Sequence, residues 1–257
     1  MTAFPLSLTL VRNATIILKY AGHRILIDPM LSPKDTFPPF GGKARNPLVD
    51  LPIPVEEIVR NTDLVLVTHT HPDHYDQAAA NALDPAVELL YQPADEALFP
   101  REKFENARVV ESSVTWKNIR IDRTYAQHGS GEVLDLMGYA SGFVLRSEGQ
   151  PTIYLVGDGI WTEEIRENIR RFEPDILVLN AGGAVKPGYE ATPILMNEAD
   201  TVAVLAESGN ATVIAVHLEA LDHCLTTRAS LRLAARQHGI PDSRLLIPAD
   251  GETISLY

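Results

Sequence analysis

Asp63-Leu-Val-Leu-Val-Thr68-His69-Thr-His71-Pro-Asp73-His74 joins an apolar run directly to a dense set of metal donors. The run Asp63–Thr68 reads as a buried strand. The donors then fall at a strand's carboxyl end, where open α/β folds place their chemistry. Histidine and carboxylate are the donors expected for zinc, manganese or iron, and a catalytic site needs several of them around an open position. In an extended segment, side chains at i and i+2 share a side, so His69 and His71 can hold one ion together. Pro72 bends the chain, and Asp73 and His74 can turn towards a second ion. The competing reading is a histidine-rich solvent loop. It has to explain why three of the chain's eight histidines gather at this one position.

Working outward, three further residues take comparable places. His128 ends the predicted strand Ile119–Gln127 and precedes Gly-Ser-Gly, which lets backbone approach a ligand closely. Asp158 follows the predicted strand Pro151–Val156 and lies between Gly157 and Gly159. His217 ends the predicted strand Ala211–His217. Singly, each has an ordinary alternative: a hydrogen-bonded histidine or a turn aspartate. Jointly they carry more weight, because each follows a strand predicted from its own apolar run.

The N-terminal part alternates through Leu6–Leu10, Thr15–Tyr20 and Arg24–Asp28, a strand meander with a turn at Ala21-Gly22. Residues 33–54 are rich in proline and glycine, which predicts a lid or binding loop, or a surface excursion of polyproline type. A helix is predicted from His74 to Leu83, then strands at 87–91 and 107–111. Phe143–Arg146 and Pro151–Val156 form a hairpin around Glu148-Gly149. Thr162 caps a helix over Glu163–Phe172, and Asn197 caps one over Glu198–Glu207. Strand Asp175–Asn180, helix Thr227–His238 and short strands at 244–247 and 253–256 complete the pattern. Strands precede helices in each half, twice over. The expected class is α+β, an αββα sandwich of two mixed sheets flanked by helices, built as a single domain over 1–257.

Composition, at 45% apolar and 22% charged residues, is that of a globular protein. A net charge of −12 argues against nucleic acid as partner, since such proteins show a basic face. Arg166, Arg170 and Arg171 at helical spacing read as a solvated face. No apolar run is long enough to span a membrane, and Met1–Thr15 lacks the features of a secretory signal. The single cysteine, Cys224, excludes an internal disulfide, fits a reducing cytoplasm and reads as a small buried packing residue. A homo-oligomer stays open.

In this order and spacing, His69-x-His71-x-Asp73-His74, His128, Asp158 and His217 resemble the metallo-β-lactamase superfamily, over nearly the whole chain. The resemblance implies that His69, His71 and His128 hold one divalent metal ion. Asp73, His74 and His217 would hold a second, with Asp158 bridging the two. It also implies a hydrolase in which a hydroxide between the metals attacks carbon or phosphorus, with Asp73 orienting the nucleophile or carrying its proton. Asp76 is the expected acceptor fixing a histidine tautomer. The opening Arg12–Thr15 and Ile27–Pro29 segments are similar to those of compact cytosolic hydrolases like L-ascorbate 6-phosphate lactonase. A small ester, lactone or phosphodiester substrate follows from that similarity alone.

His223 lies six residues after His217 and reads as a catalytic general acid, a phosphate contact, a replacement ligand or a helix-start histidine of no chemical role. His23 and His238 read as structural. Phe37, Phe40 and Tyr189 lie in loops where aromatics line a pocket or simply pack. Two other functions use the same donors: a diiron redox protein and a non-catalytic metal-binding protein.

Overall fold

Strand β1 (Ser7–Arg12), β2 (Thr15–Tyr20) and β3 (His23–Ile27) form the antiparallel meander that their period-two pattern predicts. The sheet continues in parallel through β4 (Leu64–Leu66), β5 (Glu88–Tyr91) and β6 (Ala107–Val109). A second sheet opens antiparallel, with β7 (Ser113–Trp116), β8 (Ile119–Ala126), β9 (Ala140–Arg146) and β10 (Ile153–Leu155). It turns parallel through β11 (Ile176–Asn180), β12 (Thr212–Val216) and β13 (Leu245–Leu246). Finally β14 (Thr253–Ser255) returns to the first sheet and pairs with β1. These elements come from a computed structural model that describes residues 5–99 and 103–256.

The central parallel strands β4, β11 and β12 are almost wholly apolar because both of their faces are covered, whereas edge strand β6 carries the exposed Arg108. In β4, Leu64 and Leu66 enter the core between the sheets while Val65 packs outward. Likewise Ile176, Val178, Ile214 and Val216 face inward, and Leu177, Leu179, Val213 and Ala215 meet helices. Helices α1 (Val55–Val59) and α2 (Gln77–Ala82) cover the first sheet, contributing Ile58 and Ala79. The short α3 (Glu132–Met137) buries Val133 in a small separate cluster. Against the second sheet lie α4 (Glu163–Phe172), α5 (Glu198–Glu207) and α6 (Arg228–Gln237), through Ile165, Ile169, Val204, Leu205, Leu231 and Ala235. The molecule is the αββα sandwich of two mixed sheets that the pattern predicts.

Local departures have local causes. The helix expected from His74 starts only at Gln77, because Asp76 is its N-cap, accepting from Ala79 N at 2.8 Å. His74 therefore sits in the preceding turn, its N–H and that of Tyr75 both bonded to His71 O. Strand β9 begins at Ala140, ahead of the apolar run, since the small residues Ala140, Ser141 and Gly142 pair with Ala126, Tyr125 and Thr124. Four elements among the described residues, α1, α3, β7 and a 3₁₀ helix at Pro93–Leu98, have no counterpart in the sequence pattern. No helix among the described residues is long and apolar enough to cross a membrane.

Candidate metal centre

The donor segments follow β4 (His69, His71, Asp73 and His74), β8 (His128), β10 (Asp158) and β12 (His217), all at carboxyl ends on one edge of the sandwich. Their atoms fall into two adjacent groups: His69, His71 and His128; then Asp73, His74, Asp158 and His217. Within each group the donor atoms lie within 4.8 Å of one another. His69 Nε2 is 3.0 Å from His71 Nδ1, and His217 Nε2 is 3.2 Å from Asp73 Oδ2. Asp158 Oδ2 spans both groups, at 3.9 Å from His69 Nε2, 3.5 Å from His128 Nε2, 3.1 Å from His74 Nε2 and 3.8 Å from His217 Nε2. The seven donors are thus brought together.

His69, His74, His128 and His217 are each oriented by a partner on Nδ1, which leaves Nε2 towards the centre, whereas His71 turns its Nδ1 inward. His74 Nδ1 meets Asp28 Oδ2 at 2.8 Å, and His128 Nδ1 meets Ile194 O at 2.9 Å. His69 Nδ1 is 3.1 Å from the Thr68 hydroxyl, which itself donates to Asp28 Oδ2 at 2.7 Å. Asn180 Nδ2 donates to Asp158 Oδ1 and leaves Oδ2 facing the centre. Two expectations are corrected. Asp76 touches no donor histidine; it is occupied by Ala79 N and by Ser32 N at 2.7 Å, and Asp28 takes the role assigned to it. Cys224 packs against the Ala184 and Ile194 cluster but is only partly buried, and its Sγ also lies 3.5 Å from His217 Nδ1. Asp28 carries the same sequence signal as the other donors' positions, a carboxylate at the end of an apolar strand.

The Arg12–Thr15 segment braces this arrangement. Asn13 O accepts from His217 N at 2.9 Å while Asn13 Nδ2 donates to Asp73 O at 3.1 Å. Arg12 donates to the carbonyls of Val49, Met30 and Ser32, and the Thr15 hydroxyl to Asp28 O. Asp28 and His217 hold left-handed backbone, φ 45° and 61°, a strain that non-glycine residues accept where surrounding bonds fix them. Gly157, at φ 77°, runs so close to the second sheet that a Cβ there would lie 2.3 Å from Ser141 O.

Burial disfavours a charge on His69 and His128, holding His69 well below its usual value and His128 down at about 4. In the second group burial opposes every charge, yet the facing histidines hold Asp158 and Asp73 well below the carboxylate range. Burial also opposes a charge on His74, but Asp158, Asp73 and Asp28 raise it to about 10. The pocket therefore favours positive charge. His74 Nε2 is buried with no hydrogen-bond partner, since its contact with Asp158 is not aligned for one. Neutral ring nitrogens beside an anionic, orphan-bearing group fit divalent cations.

A cleft of about 350 Å³ opens over the centre. Its floor is His71, Asp73, His128 and Asp158, and its walls include Phe40, Leu136, Met137 and Ile194. His223 and Lys186 supply the other polar atoms. His223 is buried, its Nδ1 lacks a partner, and its ring meets Phe40 edge-on at 5.6 Å. Phe37 stacks on Phe40 at 6.1 Å, and Tyr189 packs beside Val133 without lining the cleft. Lys186, Leu136 and Met137 lie in segments that carry no periodic sequence signal. His23 contacts Trp116 and Asn118, and His238 bonds Ala234 O, both remote from the centre.

Known proteins share this chain's plan. Residues 23–218 match the Beta-lactamase superfamily domain. The UPF0173 protein YddR of Bacillus subtilis is 34% identical over 254 residues, 96% of this chain and 99% of that one. A possible metal-dependent hydrolase from Veillonella parvula superposes with a TM-score of 0.93 at 34% identity, over 99% of this chain and 100% of its own. An isothiocyanate hydrolase from Delia radicum gut bacteria gives 0.90 at 41% identity, over 97% and 99%. Together with the buried His/Asp centre, these likenesses establish that the chain belongs to the metallo-β-lactamase superfamily, as a metal-dependent hydrolase.

Proposed function

We propose that this chain hydrolyses a small, neutral organic electrophile at two divalent cations, zinc in preference to manganese or iron. His69, His71 and His128 hold one; Asp73, His74 and His217 hold the other, and Asp158 reaches both. The single observation that supports this is Asp158 Oδ2, which lies within 3.9 Å of ring nitrogens from both donor groups. When bound, such a pair acidifies water and polarises the electrophile.

The chain's own residues do the rest. Asp73 orients the attacking water and takes its proton. His223, in the same cleft, returns a proton to the departing atom. The apolar walls seat the substituent and exclude bulk water.

For the substrate we favour an isothiocyanate, R–N=C=S. Water's oxygen bonds the central carbon, the C–N bond breaks and both protons end on nitrogen, giving R–NH2 and O=C=S. Two observations support that choice over an ester, lactone or phosphodiester: 41% identity to an isothiocyanate hydrolase, and a cleft with Lys186 as its one cationic side chain among the described residues. A net charge of −12 also repels an anionic phosphodiester.

The test is elemental analysis of protein purified without added metal, followed by an isothiocyanate, lactone and bis(p-nitrophenyl) phosphate panel. Two metal equivalents per chain are expected, with isothiocyanate turnover that Asp158→Ala reduces by at least ~1000-fold. Less than one equivalent, not restored by adding metal, would sink the dinuclear reading. Turnover of only the lactone or phosphodiester would overturn the substrate.

A further inference from the structure

Asp222 lies between the donor segment and the proline-rich loop, and its carboxylate gathers the loop's tip, residues 40–44. Oδ1 accepts from Phe40 N at 2.9 Å, Gly41 N at 2.7 Å and Asn46 Nδ2 at 2.8 Å. Oδ2 accepts from Lys43 N at 2.9 Å and Ala44 N at 3.0 Å. Asn46 Oδ1 answers by accepting from Asp222 N at 2.9 Å. The loop's own bonds join its two arms, through the Phe37–Asn46 bridge, Asp35 N to Pro47 O and Arg45 to the carbonyls of Asp35 and Thr36, and none of these involves residues 40–44. The contact is also close in space: a Cβ on Gly41 would lie 2.6 Å from Asp222 O and 2.9 Å from His223 Cα.

The loop held in this way carries Pro39 and Phe40 into the cleft, with the Phe40 ring edge-on to His223. Across the opening stand Leu136 and Met137 of α3. Phe40 has no strand or helix to fix it, so the width between these walls depends on the Asp222 bonds.

We propose that Asp222 is a positioning and specificity-determining residue: it clamps residues 40–46 so that Phe40 and His223 form a fixed wall, and that wall selects a flat apolar substituent on the substrate. This rests on the reading that the cleft over the His/Asp centre takes the substrate. Asparagine at 222 keeps the shape but turns an amide N–H2 towards two backbone donors, so the clamp opens without a change in volume.

The experiment compares the metal-loaded wild type with Asp222→Asn and Gly41→Ala. Phenylacetohydroxamate and acetohydroxamate, which chelate through the same group and differ by a ring, are titrated calorimetrically. Benzyl and methyl isothiocyanate are compared kinetically, and amide exchange is followed over residues 40–44. The wild type should prefer the ring-bearing hydroxamate by about tenfold or more, the scale expected of one apolar pocket contact. Both variants should lose that preference and raise KM for benzyl isothiocyanate more than for methyl isothiocyanate, with any change in kcat shared equally by the two substrates and metal content within about twofold. Protection of the 40–44 amides should fall at least ~10-fold in Asp222→Asn.

The proposal is overturned if the wild type shows no ring preference, or if the preference survives loss of amide protection. Unchanged protection in Asp222→Asn, or a uniform fall of kcat and metal content, overturns it as well. A wild type that turns over neither isothiocyanate yet keeps its hydroxamate preference defeats the substrate assignment and leaves the clamp standing.

Discussion

Asp28 touches three partners at once: His74 Nδ1, Thr68 N and the Thr68 hydroxyl. Through Thr68 it also steadies His69. Asp28→Ala removes all of these and leaves the His74 ring free to turn. Metal affinity should fall about 10–100-fold, the usual cost of losing a ligand's outer partner. Competition against a chromogenic chelator measures this, and unaltered affinity would show that packing alone orients His74. At this scale the donors themselves are legible in the sequence, because a histidine or carboxylate directly after an apolar run stands out from loop composition. Their partners are not. Ile194 and Cys224 act through one backbone or sulfur atom each, and Asn13 through its backbone oxygen and its side-chain amide, and no residue type announces that use. Asp76 illustrates the hazard: it belongs to the motif by spacing, yet it serves as a helix cap.

Elements set the precision of the centre. Gly157 threads its backbone against Ser141 O just before Asp158. Gly157→Ala puts a Cβ 2.3 Å from Ser141 O on a left-handed residue, so stability should drop by about 1–3 kcal/mol or more. A thermal melt followed by circular dichroism reads this, and an unchanged Tm would mean that the β9–β10 packing yields easily.

The loop clamp has its own pH signature. Burial opposes the Asp222 charge, but bonds from Asn46, Gly41, Ala44 and Lys43 hold its carboxyl below the usual 3.8. A depressed folded value stabilises the protein above the unfolded one and is lost as pH falls. The Tm difference between wild type and Asp222→Asn should therefore hold steady from pH 8 to 5 and shrink below about pH 4. A gap that stays constant into acid would mean that the bonds do not depend on the charge. Strands buried on both faces and helices with side-chain caps are readable from pattern, as β11, β12, α4 and α5 show. Segments such as α1, of five residues, and α3, of six between two glycines, are too short to display a period.

At the scale of the whole molecule, the centre lies at the seam of the two sheets, with donors drawn from both. Ser141 N of the second sheet bonds Thr68 O of the first, and His217 N bonds Asn13 O. Cations held there would tie the halves together, so removing them should weaken the entire fold and not one loop. Exhaustive treatment with EDTA should lower Tm in a single transition, and added zinc should restore it. Mass action sets the scale at about 2.7 kcal/mol when free metal is 100-fold above Kd. Two separate transitions after chelation would instead mean that the sheets unfold independently.

The pairing of β14 with β1 also governs how the chain must be made. Thr253–Ser255 cover the outer edge of Ser7–Arg12, with Glu252 O and Gly251 N extending the contact to Leu10. Thr9 and Thr253, bonded across the two strands, stand 244 residues apart in the chain, so β14 emerges long after β1. At about 5–20 residues per second, the nascent first strand waits roughly 12 to 48 seconds with its edge unprotected. An uncovered edge is a template for another chain, so crowding of ribosomes on one message is the circumstance most apt to send this protein towards aggregation.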